Sequence, residues 1–370
     1  MPVFLEGIAL ANFRGIGPEL QALGPFKTFN FFVGANNVGK STVLNAIHRH
    51  FGSTEEPKFT ALDAYTGVNT GPMQFRVGVL KETFESTIVK AIGDSRIRLQ
   101  YGSDHRTSDL VHNICEELAA PGDDLIWIPK NIDQSLVGSV RGALVDGLWR
   151  QLWSFIYKGA TSGSVTDDWI PDVLKTFFEL QKHRPRPVSR FIPTHRQIGP
   201  ASQSFADFSG AGLIDRLAEL QSPDHDKRHE FEVFKKINEF LQTVTGRREA
   251  RIEIPHNRNH VLVHMDNKVL PLASLGTGIH EVVMIAAFCT ISEEKIVCIE
   301  EPESHLHPLL QRKLISYLQE KTSNQYFIAT HSAAFIDTPG AGIFHVTNDG
   351  VQTRIKESVL RKERDLAPRA

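Results

Sequence analysis

The sequence predicts an α/β fold with a mixed sheet, an antiparallel β edge and a helical insertion. A glycine-rich loop, Gly34-Ala-Asn-Asn-Val-Gly-Lys-Ser41, lies between an aromatic strand pattern and a helical pattern. About 260 residues later, the apolar run 296–299, which is typical of a buried parallel strand, ends in two glutamates. Between these two segments, apolar and polar residues first alternate, as they do in edge strands, and the pattern then becomes typical of helices. We therefore expect both ends of the chain to build one sheet.

The first strand is predicted over residues 26–33, which are aromatic and β-branched. A helix is predicted from Lys40 to Phe51, ending at Gly52. Its buried face is expected to comprise Val43, Leu44, Ile47 and Phe51. Strand, glycine loop and helix follow in the order that a phosphate-binding loop requires, because the N-terminus of the helix supplies part of the anion-binding field.

The loop has the spacing G-x-x-x-x-G-K-S, which predicts a site for a nucleotide such as ATP. Glycines let successive backbone N–H groups face the phosphates, Lys40 adds a cation, and the Ser41 hydroxyl suits Mg²⁺. A chance glycine-rich turn is the competing interpretation, and the flanking strand and helix argue against it. The residues expected to contact the nucleotide are Gly34, Ala35, Asn36, Asn37, Val38, Gly39, Lys40, Ser41 and Thr42.

The sequence of the middle of the chain predicts an insertion. Apolar and polar residues alternate over 74–80 and 95–101, so we expect two half-exposed strands at the antiparallel edge. Residues 159–165 are expected to form a loop. We expect one lobe over residues 1–103, a helical insertion over 104–188 and a second lobe over 189–370. Four tryptophans, Trp127, Trp149, Trp153 and Trp169, fall in or beside the insertion. They are expected in its core, and a partner surface formed by Trp149 and Trp153 is the alternative.

Two basic clusters, over residues 182–196 and 227–251, allow two interpretations. If the two clusters line one groove, their side chains would bind the phosphates of a nucleic-acid backbone. Otherwise their charges simply face solvent, an interpretation that we favour because acidic residues are interleaved with the second cluster. That cluster includes a predicted helix over 231–244 whose other face, Phe234, Ile237 and Leu241, is expected to be buried.

A second glycine-rich turn, residues 272–278, opens an apolar helix. The helix is expected to bury Ile279, Val282, Val283, Ala286 and Ala287. Its N-terminus offers free N–H groups for an anion. Because the first loop is already expected to bind the phosphates of the nucleotide in the same subunit, a second helix N-terminus suggests contact with a phosphate that a partner subunit binds. An ordinary helix start is the alternative.

The strand over 296–299 ends in Glu300 and Glu301, where ligands bind in open α/β sheets. Glu300 is expected to hold Mg²⁺ or its water, and Glu301 to polarise the attacking water. A solvated strand end is the alternative. The following helix is predicted to pack through Leu309, Leu310, Leu314 and Leu318. His305 and His307 suggest a metal site with Cys298, but their loop favours a packing or dimer contact.

Another buried strand is predicted over residues 326–330, and it ends in His331. A histidine there is placed to hydrogen-bond a γ-phosphate, although a structural role is the alternative.

Composition agrees with a cytosolic chain that spans no membrane. The net charge is −2, the three cysteines suggest a reducing compartment, no signal segment is visible, and the longest apolar stretch, 282–291, is too short to cross a bilayer.

Taken in order, these motifs resemble the ABC-type ATPase heads of the SMC, RecF and OLD group of P-loop NTPases. The likeness extends to Asn12-Phe13-Arg14, which resembles the N-F-R turn that these heads place near the nucleotide. The combination of residues 274–281, 299–308 and 329–332 looks most like standalone OLD-like ATPases, including ATPase subunits of the Septu and PARIS anti-phage systems. The resemblance covers roughly residues 1–80 and 210–345.

The resemblance implies a head that dimerises around two ATP molecules. Ser274, Gly276 and Gly278 would contact the γ-phosphate across the dimer. Glu301 would act as base, His331 as γ-phosphate sensor, and Gln197 would link the metal to the helical lobe. The sequence departs from transporter heads in two ways, because Glu300 replaces the usual aspartate and the glycine turn is not L-S-G-G-Q. Slow hydrolysis, or hydrolysis that serves as a switch, is therefore expected.

The resemblance also suggests a role. OLD nucleases continue into an acidic Toprim domain, whereas about 40 residues follow His331 here, so cutting would need a separate partner. We expect a sensor or regulator of an effector, a nuclease or toxin, in bacterial anti-phage defence. A RecF-like ATPase that clamps DNA is the first alternative, and a nucleotide-gated scaffold with negligible hydrolysis is the second.

Overall fold

The computed structural model describes residues 3–52, 59–93, 96–98, 104–119, 122–129, 131–157, 162–182, 187–194, 196 and 212–358. Its strands are Gly7–Ala11 (β1), Gln21–Leu23 (β2), Phe29–Val33 (β3), Gln74–Leu80 (β4), Arg96–Arg98 (β5), Asp104–Arg106 (β6), Leu125–Trp127 (β7), Ser189–Ile192 (β8), Arg251–Glu253 (β9), Leu262–Met265 (β10), Lys268–Pro271 (β11), Ile296–Glu300 (β12), Gln325–Thr330 (β13), Gly342–Asn348 (β14) and Thr353–Glu357 (β15). Its α-helices are Lys40–Phe51 (α1), Lys81–Ile92 (α2), Thr107–Leu118 (α3), Gln134–Val140 (α4), Asp146–Ile156 (α5), Ile170–Lys182 (α6), Leu213–Gln221 (α7), Phe231–Thr245 (α8), Thr277–Ile291 (α9), Pro308–Lys321 (α10) and Ala333–Ile336 (α11).

The central sheet joins the two ends of the chain. Its order is β15-β14-β3-β13-β12-β8, parallel throughout except for the antiparallel pair of β14 and β15. Strand β13 lies between β3 and β12, with Ile328 opposite both Phe31 and Ile299. The carboxyl ends of β3, β12 and β13 therefore meet at one edge, and the predicted phosphate loop, acidic pair and histidine all follow these ends.

Alternation along the central strands separates two hydrophobic layers. Phe31, Ile328 and Ile299 face a layer formed with helices α8, α9 and α10. Phe32 and Phe327 face the opposite layer, which contains the apolar side of α1. Side chains of successive strand residues point to opposite faces, so strands covered on both faces read as continuous apolar runs. The predicted buried residues of α1 are confirmed.

A second sheet, β2-β1-β4-β7, is antiparallel and packs its apolar side chains into the layer of α1. The strand predicted over 74–80 lies in it, at the antiparallel edge, as expected. The segment 95–101 does not join that edge, because its described part, Arg96–Arg98, pairs with Asp104–Arg106 as a separate two-stranded ribbon. The predicted strand is confirmed over residues 96–98, but its predicted place at the antiparallel edge is wrong.

The insertion has its own core, which combines α2 with α3 to α6. Trp149 is fully buried and Trp153 nearly so, with its Nε1 donating to Asp172 at 2.9 Å. Both tryptophans are therefore core residues rather than a partner surface. The loop predicted over 159–165 falls partly outside the described residues; 162–164 have no regular structure and Val165–Trp169 form a π-helical turn.

The C-terminal half adds a small three-stranded sheet, β11-β10-β9, ahead of α9. Helix α8 buries Phe234, Ile237 and Leu241 as predicted. The charged side of α8 is paired, with Lys235 near Glu232 and Lys236 near Glu293, which agrees with solvated helix charge. Of the first basic cluster, residues 183–186 and 195 lie outside the described ranges. Among the described helices, none is long and apolar enough to cross a membrane.

Candidate nucleotide site

The phosphate loop leaves β3 and turns sharply into α1. Gly39 has φ +107°, a conformation that side chains rarely adopt, and a Cβ there would lie 2.5 Å from Thr353 Oγ1. A Cβ on Gly34 would lie 2.1 Å from the carbonyl oxygen of Val346. Both glycines are therefore required where the loop passes against β14 and β15.

Lys40 begins α1, and its buried side chain curls back over the loop. Its Nζ donates to the carbonyl oxygens of Gly34 at 3.0 Å and Ala35 at 2.8 Å. Nζ also lies 2.8 Å from Nε2 of His331. Burial lowers the pKa of the Lys40 ammonium, while the charges of Glu301 and Glu303 oppose that effect. The cation is thus positioned beside the acidic end of β12.

The acidic pair lies at the end of β12, as predicted. Glu300 is the last strand residue, and Glu301 follows with φ +42°, an uncommon conformation for a residue other than glycine. The N–H of Glu301 donates to the carbonyl oxygen of Ala329 at 2.8 Å, which ties the residue to the end of β13. This turn directs Glu301 into the cavity that the phosphate loop borders.

His331 follows β13 and lies between the phosphate loop and the acidic pair. Its Nε2 is 3.8 Å from Oε1 of Glu301 in addition to its contact with Lys40. Its backbone N–H donates to the carboxylate of Glu303. Residues from three separate parts of the chain, Lys40, Glu301 and His331, are thereby brought together, as the sequence predicted.

A cavity of about 350 Å³ lies at this edge of the sheet. It is lined by Gly15, Asn36, Asn37, Gly39, Lys40, Ser41, Thr42, Glu301, Ala329, Asn348 and Thr353. The lining is mainly polar and includes the loop that would hold phosphates and the carboxylate that would act on water.

Arg14 lies beside the cavity rather than in its lining. Its guanidinium binds Oδ1 of the fully buried Asp63 at 3.1 Å and lies 5.4 Å from the Phe13 ring centre. Asp63 also pairs with Arg49 at 3.0 Å. Gly15, the residue after the N-F-R turn, lines the cavity instead.

The second glycine turn is exposed and lies outside the lining of this cavity. Ser274 and Gly276 are exposed, and a Cβ on Gly276 would meet open space. Gly278 lies against the carbonyl oxygen of His305, where a Cβ would approach to 2.9 Å. Helix α9 then begins with its N-terminus toward solvent. It buries Val282, Val283, Ala286 and Ala287 as predicted, whereas Ile279 is only partly buried. Gln197, the expected link between metal and lobe, lies outside the described residues.

The histidines before α10 take structural positions. Nδ1 of His307 accepts a hydrogen bond from the N–H of Leu309 at 3.3 Å and caps the helix. Cys298 is fully buried in the sheet. Within the described ranges, no group of three or more His, Cys, Asp and Glu side chains is placed to hold a metal ion.

Comparisons with known proteins agree with this geometry. A family described as AAA ATPase domain matches residues 211–336, a stretch that includes the glycine turn, the acidic pair and His331. The DNA replication and repair proteins RecF of Citrobacter koseri and Salmonella typhi are each 31% identical over 122 residues. These residues cover 32% of this chain and 33% of each relative, so the chain spans about a third of the length of the curated relatives it matches.

A solved structure, an SMC head bound to the C-winged-helix domain of ScpA, is similar over 98% of this chain and all of its own length. The two share 12% sequence identity with a TM-score of 0.52, a likeness that shows the fold alone. The fold is that of an SMC-type ATPase head. The family match adds a likeness to an ATPase domain over residues 211–336.

The donor set at this edge of the sheet fits Mg²⁺. The Ser41 hydroxyl and Glu301 line the cavity, and Glu300 is the last residue of β12, so the available ligands are oxygens. Mg²⁺ prefers oxygen ligands and usually shares them with substrate phosphates.

Three contributors to the head were missed by sequence reasoning. Asn348 and Thr353 line the cavity from β14 and β15, but no spacing rule connects this hairpin with a loop more than 300 residues earlier. Arg196 was noticed only as a member of a basic cluster. Its side chain is buried, and it binds Glu281 and the end of β12.

Proposed function

We propose that this chain binds ATP in the cavity beside the phosphate loop and hydrolyses it. The observation that supports the proposal is that Lys40 and Glu301 line one cavity and that His331 contacts both of them. Nζ of Lys40 and Oε1 of Glu301 both lie near Nε2 of His331, at 2.8 and 3.8 Å. Residues that are widely separated along the chain meet here because their strands are neighbours in the sheet.

Each group has a chemical task in the proposed reaction. The loop N–H groups and Lys40 hold the β- and γ-phosphates, and His331 donates to a γ-phosphate oxygen. Glu301 orients a water and accepts its proton as the water oxygen attacks the γ-phosphorus. The bond to the bridging oxygen breaks, and ADP leaves with the electron pair. Ser41 and Glu300 would hold Mg²⁺, which neutralises charge on the phosphates when bound.

The first test compares ATP binding with phosphate release. Lys40→Ala is expected to weaken ATP binding at least about tenfold, because it removes the cation at the phosphates. Glu301→Gln keeps the size of the side chain but cannot accept a proton, so it should bind ATP normally and lose about 100-fold or more in turnover.

Glu320→Gln on α10 is a matched control, because this exposed glutamate lies outside the cavity lining. It should match the wild type in both assays. Hydrolysis by Glu301→Gln at the wild-type rate would show that another group is the base. If the wild type binds ATP but releases no phosphate, the result would favour the nucleotide-gated scaffold.

We further propose that two heads close around ATP, with Ser274, Gly276 and Gly278 of one subunit on the γ-phosphate in the other. The exposure of this turn and its absence from the cavity of its own subunit support this arrangement. The open side of Gly276 leaves room for a close approach, and the N-terminus of α9 favours an anion.

Two cellular roles remain as proposals. Control of a separate nuclease or toxin in anti-phage defence is supported by the resemblance of the three motifs to OLD-like ATPases. DNA binding in repair is supported by the similarity to RecF. Binding of duplex DNA should be measured with and without ATP at about 50 and 200 mM salt. ATP-dependent, salt-sensitive binding supports repair, whereas no binding together with co-purification of an effector supports defence.

A further inference from the structure

A buried arginine connects the helix that follows the glycine turn with the acidic end of β12. Nη1 of Arg196 donates to Oε2 of Glu281 at 3.0 Å, and Glu281 lies in the second turn of α9. Nη2 of the same guanidinium donates to the carbonyl oxygens of Glu300 and Glu301, the latter at 3.3 Å. One side chain therefore contacts both the helix that begins at the exposed turn and the residue that faces the cavity.

These contacts account for the unusual backbone of Glu301. A positive φ is uncommon in a residue other than glycine and persists only when the surroundings hold it. Here φ is +42°, the N–H is bound to the carbonyl oxygen of Ala329, and the carbonyl oxygen is bound to Arg196. Both ends of the residue are fixed, and the orientation of the Glu301 side chain depends on this arrangement.

Burial of the charged Arg196 side chain carries a desolvation cost. Its side chain is 0% exposed, that of Glu281 is 13% exposed, and its Nε has no hydrogen-bond partner among the described residues. A buried ion pair contributes little net stability over an apolar pair, so stability alone does not explain it. What a guanidinium supplies is a rigid planar fork that binds two groups in fixed directions, which lysine cannot reproduce.

We propose that Arg196 is a positioning residue that couples α9 to Glu301. A displacement of the N-terminal turns of α9, as when the glycine turn contacts a nucleotide held by a second subunit, moves Glu281 and through Arg196 the carbonyl groups of Glu300 and Glu301. Hydrolysis in one cavity then depends on whether the same subunit is engaged with the other nucleotide. This inference rests on the proposed function.

The kinetic test compares Arg196→Lys and Glu281→Gln with wild type. Arg196→Lys keeps the charge but cannot bind both carbonyl groups and the carboxylate, so kcat should fall about 10- to 100-fold. The KM for ATP should stay within about threefold, because the phosphate loop is untouched. Glu281→Gln leaves the carbonyl contacts but weakens the link to α9, and should lower kcat in the same direction.

Arg216→Lys is the matched control. Arg216 also binds two carboxylates, those of Glu219 and Glu230, at 2.9 and 3.0 Å, but does not contact β12. Its variant should retain wild-type kcat and KM. If Arg196→Lys and Glu281→Gln are folded, as judged by thermal unfolding, and both keep wild-type kcat, the coupling is refuted. A wild type that releases no phosphate refutes the proposed function instead.

Hydrogen exchange tests the coupling without turnover. In Arg196→Lys, amide exchange should rise in residues 276–282 and in 300–304 together, because one side chain holds both segments. The same segments should be unchanged in Arg216→Lys. A rise in only one segment, or in neither, would show that Arg196 does not connect them, whatever the rate of hydrolysis.

Discussion

His48 attaches α1 to the edge of the central sheet through a ring that is mostly buried. Its Nδ1 lies 2.9 Å from Oγ of Ser189 on β8, and the ring packs against Phe191 with centroids 5.3 Å apart. Burial, aided by the charges of Arg190 and Arg49, lowers the pKa of His48 to about 4. The folded protein therefore holds this histidine neutral at pH 7.

We predict that His48 makes folding stability depend on pH. An unfolded histidine has a pKa near 6.5, so between about pH 6.5 and 4 the unfolded chain binds a proton that the folded chain excludes. This contribution to the free energy of unfolding is present above pH 6.5 and is lost as the pH falls toward 4. Its full size is on the order of 3 kcal/mol.

Urea unfolding of the wild type and His48→Gln at about pH 7 and pH 4.5 measures the effect. Glutamine can still bind Ser189 but does not titrate, so the variant should lose less stability on acidification. Carboxylates titrate in both proteins and cancel in the difference. An equal loss in the two proteins would contradict the assignment of a neutral, buried ring.

At the scale of elements, the sequence was informative where strands are covered on both faces. Strand β13 and the strand that ends in Glu300 were predicted because their residues are apolar without interruption. The helix between them, α10, was predicted with one error, since Leu309 is 55% exposed whereas Leu314 and Leu318 are buried. Leu309 and Leu310 are adjacent and therefore lie about 100° apart around the helix, so one face cannot hold both.

The β14–β15 hairpin was not predicted as part of the site, although it supports the phosphate loop. Oγ1 of Thr353 donates to the carbonyl oxygen of Val38 at 2.9 Å, and the N–H of Thr353 donates to Gly15 at 2.7 Å. Thr353 is buried and packs against Gly39. A sequence pattern reports burial and periodicity along one element, and it contains no information about which distant loop an edge hairpin will contact.

We predict that Thr353→Val weakens nucleotide binding. Valine has nearly the same shape but cannot donate to Val38, so a loop carbonyl loses its partner at a cost of about 1 kcal/mol. The affinity for a fluorescent ATP analogue should fall about three- to tenfold, with a small loss of thermal stability. Thr347→Val is the control, because Thr347 is exposed on the same hairpin and outside the cavity. Equal affinity of the two variants would show that the hairpin does not set the loop geometry.

For the molecule as a whole, the sequence identified the central residues of the site better than their surroundings. Lys40, Glu301 and His331 follow strands whose order could be anticipated, because parallel strands place their carboxyl ends at one edge of a sheet. The role of Arg14 and the position of Arg196 depend on side-chain packing between distant segments, with Asp63 and Glu281 respectively. Pairings of this kind leave no periodic trace in a sequence.

The proposed composite site makes a prediction about mixed dimers. A Lys40→Ala subunit lacks the loop cation but retains its glycine turn, whereas a Ser274→Arg subunit retains the loop and carries a bulky cation on the turn. Ser274 is exposed, so this substitution should not disturb the fold. Each variant alone should be inactive, because every site in its homodimer lacks one half.

Mixing the two variants should restore hydrolysis, because a dimer of one Lys40→Ala and one Ser274→Arg subunit contains one site with both intact halves. With random pairing half of the dimers are mixed and each has one of two sites, so the activity should reach about a quarter of the wild-type value if the sites act independently. The competent cavity belongs to the Ser274→Arg subunit, whose own turn is blocked, so the proposed coupling through Arg196 lowers this value by a further factor of about 10 to 100, which still exceeds the control. A mixture of Lys40→Ala and Glu301→Gln is the control. Its mixed dimer contains no site in which Lys40 and Glu301 of one subunit are both intact, so it should stay inactive. If the first mixture also stays inactive although both variants are folded, the glycine turn does not act across subunits.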